Sequence, residues 1–129
     1  MPRPSSRYPT ELELKILKVL WTHGPSNVRR VQELLQAERP LAYTSVMTIM
    51  KIMTDKKYLR RRKEGNTHIY EPSIDYESTA GTMMEDMVQR LFDGSAAAAS
   101  LRLLETAELD DEELKALRAL LKRKTGEKS

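Results

Sequence analysis

The stretch LAYTSVMTIMKIMTDKKYLRRRKEGNTHIY, residues 41–70, decides the fold. In its first half, apolar side chains recur at the i, i+3, i+4, i+7 spacing of a helix that packs one face on a core. These core residues are Val46, Ile49, Met50 and Met53. The opposite face carries the hydrogen-bonding side chains of Thr44, Thr48 and Lys51. Such a face suits the DNA major groove, where base edges present donors, acceptors and the thymine methyl group.

The second half of this stretch predicts a basic β-hairpin. Six of the eight residues from 56 to 63 are Lys or Arg, and Tyr58 and Ile69 supply apolar positions in two short strands. The sequence Glu64-Gly65-Asn66 supplies the turn between them. Either element alone is often just a solvated surface. A short helix followed directly by a basic hairpin, however, is typical of a winged helix-turn-helix that binds DNA.

Two helices are predicted before this stretch. Residues 10–13, Thr-Glu-Leu-Glu, form a capping box that starts the first helix, and Trp21 ends it before a Gly-Pro stop signal. Trp21 itself is interpreted as a core residue. Ser26 is the expected N-cap of the second helix, which carries Arg29 and Arg30 in its first turn. The helix dipole disfavours cations there, and a phosphate beside them would make them better tolerated.

Three further helices are predicted after residue 73, at about 75–92, at 96–104 and after a cap at Asp110. About 50 residues would be marginal as an independent unit, so their apolar stripes need a partner surface. A two-fold dimer would bury the same patch twice, and the alternative is that these helices pack back on residues 10–70. The expected dimerisation residues are Tyr76, Ala80, Met83, Met84, Met87, Val88, Leu91, Leu101, Leu104, Leu114, Leu117 and Leu121.

The charge is unevenly distributed along the chain. Residues 1–72 hold 14 Lys and Arg against 7 Asp and Glu, whereas residues 73–129 hold 8 against 12. A basic half joined to an acidic half indicates that one half meets a polyanion. The expected organisation is a flexible arm at 1–9, a winged-helix DNA-binding domain at 10–72, a helical dimerisation domain at 73–123 and a flexible tail at 124–129.

Several classes of protein are disfavoured by the sequence. Cysteine is absent, which excludes disulfides and thiolate metal sites. No apolar run approaches the roughly 18 residues of a membrane span, and the N-terminus does not have the pattern of a signal peptide. His23 and His68 have no second ligand at metal spacing, and no phosphate loop or nucleophile motif is present. The expectation is a cytoplasmic protein without membrane insertion, without a metal or cofactor, and without enzymatic activity.

Three segments together resemble a known family of repressors. They are residues 11–21, ELELKILKVLW; residues 24–31 with Gly24-Pro25 and VRRV; and residues 43–48, YTSVMT, followed by the basic wing. This pattern resembles the penicillinase-repressor family of BlaI and MecI type, which has the copper-responsive CopY-type repressors as relatives, over about residues 10–122. The resemblance implies a winged-helix DNA-binding domain, a helical dimerisation domain and repression through a dyad operator. It also implies release by an upstream signal, in many members through a membrane sensor with a protease domain.

The sequence departs from the family pattern at several positions. Ile52 stands where the family usually has Arg, on the outward side of the predicted DNA-reading helix at residues 44–56. Lys57 stands where the family usually has Gly, so it must either adopt a left-handed conformation or end the helix differently. The cysteine-rich tail of copper-responsive relatives is missing. The cleavage region of cleaved relatives aligns near Arg102 and Leu103, which do not match their Asn-Phe pair, so proteolytic release is an open alternative.

The predicted function is that of a homodimeric transcriptional repressor that binds double-stranded DNA. The expected major-groove residues are Thr44, Ser45, Thr48 and Lys51, and Tyr43 is a further expected DNA-binding residue. The expected phosphate contacts are Arg60, Arg61, Arg62 and Lys63 in the wing, with Lys56, Arg29 and Arg30 adding backbone contacts. The alternative is a protein-interaction module, in which the exposed Ile52 and the Met-rich helix at 75–92 dock another protein.

Overall fold

The computed structural model describes residues 8–126, which form six helices and one two-stranded antiparallel sheet. In chain order the elements are α1 (Glu11–His23), α2 (Val28–Leu35), α3 (Tyr43–Asp55), β1 (Leu59–Glu64), β2 (Thr67–Pro72), α4 (Tyr76–Phe92), α5 (Ala96–Thr106) and α6 (Asp111–Lys124). Three helices followed by a hairpin are a winged helix-turn-helix. The predicted fold class, mainly α with a small β-hairpin wing, is therefore confirmed.

The described chain divides into two compact units, the first of which ends at Asp86 and the second of which begins at Met87. The core of the first unit is formed by α1, α2, α3 and the base of the hairpin. Its fully buried side chains include Ile16, Leu17, Leu20, Val31, Leu35, Val46, Met50, Met53 and Leu59. The predicted arm at residues 1–9 and tail at 124–129 lie partly outside the described residues, and the domain boundaries stay predictions.

The start of α1 is fixed by the capping box that the sequence predicts. The Thr10 hydroxyl accepts a hydrogen bond from the Glu13 amide at 3.2 Å, and the Thr10 amide donates to the Glu13 carboxylate at 2.8 Å. The helix continues to His23, two residues beyond the predicted end at Trp21. Gly24 then adopts φ 88° and donates its amide to the Leu20 carbonyl at 2.8 Å, which ends the helix.

The N-cap of α2 is Asn27, so the prediction of Ser26 is wrong. The Asn27 side chain accepts from the Arg30 amide at 2.8 Å. Ser26 instead exchanges two backbone hydrogen bonds with Tyr70 of β2, at 3.0 and 2.9 Å, and its hydroxyl donates to the Gly24 carbonyl at 2.9 Å. Ser26 therefore ties the wing to the start of α2.

The core face of α3 follows the predicted period. Val46, Met50 and Met53 are fully buried, and Ile49 is half-buried. After the helix ends, Lys57 takes φ 69°, the left-handed conformation, which is the first of the two expected alternatives.

The first turns of α4 belong to the same compact unit as the winged helix. The Trp21 indole N–H donates to the Ile74 carbonyl at 3.0 Å, and its ring meets Tyr76 edge-on, with centroids 5.6 Å apart. Trp21 also packs against the core cluster, as expected from its sequence position.

The second unit contains the end of α4, α5 and α6. Ser95 caps α5, and Asp110 forms with Glu113 the predicted capping box of α6. Residues 111–113 place three acidic groups in the first turn of α6, and residues 122–124 place three basic groups in its last turn, which matches the helix dipole. Within residues 8–126, no helix has both the length and the apolar character needed to cross a membrane.

Candidate nucleic-acid interface

A concave groove of about 660 Å³ opens between the start of α2, the outward face of α3 and the wing. Its walls are formed by Asn27, Val28, Arg29, Tyr43, Met47, Thr48, Lys51, Arg61, Asn66, Thr67, His68 and Tyr70. Residues from three separate segments thus converge on one surface. Polar and cationic side chains predominate among them, which makes the groove complementary to an anionic ligand.

The five residues of α3 that the sequence predicts to bind DNA are all exposed. Tyr43, Thr48 and Lys51 line the groove, whereas Thr44 and Ser45 lie on the exposed surface beside it. The N-cap of α3 is Ala42, whose side chain makes no capping hydrogen bond. The first amides of α3 therefore remain available to an external acceptor such as a phosphate oxygen.

The arginines of α2 differ in their surroundings. The Arg29 guanidinium lies 5.4 Å from the centroid of the Tyr43 ring, a cation–π contact at the edge of the groove. Tyr43 thus restricts Arg29 to the groove side of α2, while Arg30 is exposed outside the groove.

The wing divides its four predicted phosphate-binding residues between two faces. In the antiparallel register Arg61 pairs with Tyr70 and Lys63 pairs with His68. Because side chains alternate along a strand, Arg61 and Lys63 share the face that carries the buried Leu59 at the base of the hairpin. Arg61 lines the groove from this face.

The other face of the wing holds its cations in ion pairs. The Arg60 Nε lies 3.0 Å from the Glu71 carboxylate, and Arg62 lies 3.8 Å from Glu71 and 3.4 Å from Glu64. These two arginines are exposed, so water and salt screen the pairs.

Lys56 is engaged inside the domain. Its ammonium lies 2.9 Å from the Glu13 Oε2 atom, and the Glu13 side chain is only 5% exposed. The same ammonium lies 5.8 Å from the Tyr58 ring centroid. Burial raises the pKa of the Tyr58 hydroxyl, and Lys56 partly opposes that shift. Lys56 thus links the end of α3 to the start of α1.

The groove cations on the three walls are unpaired. Among residues 8–126, no carboxylate comes within 4.0 Å of a charged nitrogen of Arg29, Lys51 or Arg61. Three positive charges without a carboxylate partner in the described part of the chain can bind phosphates, while Thr48 supplies a hydroxyl for hydrogen bonding to a base edge.

Seven groove residues are absent from the sequence-based site. Two of them, Val28 and Tyr70, are buried core residues, and the other five are Asn27, Met47, Asn66, Thr67 and His68. Met47 could have been found by its position next to Val46, which turns it about 100° away from the core stripe. Asn66, Thr67 and His68 follow the turn of the hairpin. Only the fold of the wing over α3 brings them to the groove.

The predicted dimerisation residues differ in exposure. Exposed members are Tyr76, Met84, Met87, Leu91, Leu101, Leu104 and Leu121, and half-buried members are Ala80, Met83, Val88, Leu114 and Leu117. Arg102 and Leu103, the predicted cleavage region, are exposed within α5.

The fold and the groove define a winged-helix protein of the DNA-binding class. The family model for the penicillinase repressor matches residues 9–123. The transcriptional regulator BlaI of Mycobacterium tuberculosis is 34% identical over 103 residues, covering 78% of this chain and 75% of the relative. The penicillinase repressor of Bacillus licheniformis is 26% identical over 112 residues, covering 87% and 88%. A solution structure of monomeric Bacillus licheniformis BlaI with the blaP half-operator is 28% identical, covers 54% of this chain and 84% of that one, and has a TM-score of 0.47.

The chain belongs to the penicillinase repressor family. Members of this family are transcriptional repressors and not enzymes, which confirms both the resemblance and the expectation of a protein without enzymatic activity. The chain is accordingly a DNA-binding transcriptional repressor.

Proposed function

We propose that the protein represses transcription as a homodimer that binds a dyad operator, with α3 of each subunit in a major groove. The observation that carries this proposal is the groove itself, in which Arg29, Lys51 and Arg61 converge from three elements and have no ionic partner among residues 8–126. Cations kept unpaired in one concave surface favour a polyanionic ligand.

The reading helix has suitable dimensions for the major groove. Its 13 residues span about 20 Å, and the major groove is about 12 Å wide. Thr44, Ser45, Thr48 and Lys51 would face base edges or adjacent phosphates. The first turn of α3 would meet a phosphate through its uncapped amides.

The wing would supply affinity and register. Arg61 and Lys63, on the groove face, are the primary candidates for phosphate contacts, while Arg60 and Arg62 would first have to release Glu71. Arg29 would add a backbone contact at the far side, positioned by Tyr43. Phosphate contacts of this kind fix orientation without reading sequence.

Dimerisation is supported by the apolar surface of the second unit. α6 has 14 residues and no buried residue, although it carries a complete capping box. Leu91, Leu101 and Leu121 are each more than half exposed. A second copy of the chain would cover these side chains, and a two-fold dimer would present two reading helices about 34 Å apart on the operator.

Release by an upstream signal completes the proposal. Arg102 and Leu103 are exposed but helical, so a protease of a membrane-sensor pathway would need local unfolding of α5 before cleavage. Release by another route would leave α5 intact.

The test is fluorescence anisotropy of the protein against labelled duplexes tiled across the promoter of its own transcription unit, repeated over a range of salt concentrations. The expected result is tight binding to one dyad-containing tile at two chains per duplex. Equal, weak binding to all tiles, or a monomer without salt-sensitive affinity, would refute the proposal and favour a protein-interaction module.

Two variants of the wing provide a matched control. Arg61→Ala should weaken binding to all sequences alike and reduce the slope of log affinity against log salt by about one per chain. Arg60→Ala removes the same charge from the opposite face of the same strand and should change the slope less. No change in slope for Arg61→Ala, or a larger change for Arg60→Ala, would show that the wing does not contact DNA through the groove face.

A further inference from the structure

Met47 is an apolar side chain in a groove wall that is otherwise mainly polar and cationic. It lies one helical turn after Tyr43 and one turn before Lys51, and all three line the groove. Its side chain is 42% exposed, whereas the neighbouring core residue Val46 is fully buried. Packing of the core therefore does not account for an apolar residue at this position.

The chemistry of the major groove offers one apolar feature to such a side chain. Base edges present hydrogen-bond donors and acceptors, and thymine adds its C5-methyl group. We propose that Met47 contacts a thymine methyl group and so sets a requirement for thymine at one position of each half-site. This inference rests on the proposed function, since it requires α3 to lie in the major groove.

The neighbours of Met47 are consistent with this role. Thr48 and Lys51 supply a hydroxyl and an ammonium on the same wall, and these groups are suited to acceptors on adjacent base edges. The flexible thioether of methionine adapts to an apolar partner without a fixed geometry. An apolar contact flanked by two hydrogen-bonding contacts would distinguish thymine from the other bases at its position.

Ile52 provides a matched control on the same helix. It is exposed to a similar extent, 44% against 42% for Met47, but does not line the groove. If exposed apolar side chains on α3 acted only through general contact with DNA, Met47 and Ile52 would behave alike. A specific contact with a methyl group predicts that they differ.

The experiment uses the full chain and the tightest-binding promoter duplex, in which each thymine is replaced in turn by deoxyuridine. This replacement removes only the C5-methyl group. At one position the wild-type protein should lose about fourfold in affinity per half-site, the value expected for one buried methyl group. Met47→Ala should bind the thymine and deoxyuridine duplexes equally at that position, while Met47→Leu and Ile52→Ala should still discriminate between them.

The outcomes separate this inference from the proposed function. Specific binding without any methyl-sensitive position would overturn the inference alone, as would a methyl-sensitive position that Met47→Ala leaves unchanged. A complete absence of sequence-specific duplex binding would refute the proposed function, and the inference with it.

Discussion

Removing one partner of the ion pair between Lys56 and Glu13 should cost far more stability than removing one partner of the shorter pair between Lys15 and Glu38. The two pairs measure 2.9 and 2.6 Å, but the Glu13 side chain is 5% exposed and the Glu38 side chain 68%. Removing one partner of a fully buried pair costs about 3–5 kcal/mol, because the other charge is left desolvated. Lys56 is 24% exposed, so we expect Lys56→Ala to lower the free energy of unfolding by about 2 kcal/mol.

Urea unfolding followed by the fluorescence of Trp21, the single tryptophan, measures this difference. Glu13→Gln keeps an oxygen that can accept the Thr10 amide, so a double-mutant cycle with Lys56→Ala isolates the ionic coupling. Lys15→Ala is the control and should unfold close to the wild type. A loss for Lys15→Ala as large as that for Lys56→Ala, or zero coupling in the cycle, would refute the argument that burial sets the strength of these pairs.

Three further predictions follow from single contacts. Lys57→Gly should raise the free energy of unfolding by about 1 kcal/mol, because Lys57 has φ 69°, and urea titration measures it. Trp21→Phe should lower the free energy of unfolding by about 1 kcal/mol, because the indole N–H that donates to the Ile74 carbonyl is lost. Unfolding of this variant is measured by circular dichroism. Because burial raises the pKa of the Tyr58 hydroxyl, the unfolded chain loses this proton first, and stability should fall as the pH rises above about 10. Tyr58→Phe should reduce that fall, measured by urea titration from about pH 9 to about pH 11.

The parts of the fold that depend on neighbouring residues could be predicted from the sequence. The capping boxes at Thr10 and Asp110 are closed by groups three residues away, so local spacing is sufficient to identify them. The buried stripe of α3 follows from helical period, because apolar side chains at that spacing must share a face. The left-handed conformation of Lys57 was one of two expected alternatives.

The parts that depend on distant contacts could not be predicted. Ser26 and Asn27 are both good capping residues, and the backbone pairing of Ser26 with Tyr70 leaves Asn27 to cap α2. The same limit applies to the wing. Its composition shows a basic hairpin, but the strand register decides that Arg61 faces the groove while Arg60 is held by Glu71.

The candidate site shows a second limit of sequence reasoning. Polarity alone predicts Thr44, Thr48 and Lys51 as outward residues of α3 and passes over the exposed Met47, although the helical period also places Met47 outside the core stripe. The ion pair of Lys56 with Glu13 could not be predicted either, because Glu13 is distant in sequence and the packing of α3 against α1 brings the two side chains together. The residues of the groove are thus a product of register and packing more than of composition.

The turn after α3 explains how α3 and the wing are held in one geometry. A left-handed residue without glycine costs about 1–2 kcal/mol, and the adjacent Lys56 connects this turn to α1 through its ion pair with Glu13. With the turn maintained, the Tyr58 amide donates to the Met53 carbonyl at 2.9 Å, and β1 starts with Leu59 in the core. Strand alternation then directs Arg61 toward the groove wall that contains Lys51. The relative position of Lys51 and Arg61 therefore depends on the turn at residues 56–57, in which Lys57 is left-handed and the Lys56 ammonium is paired with Glu13.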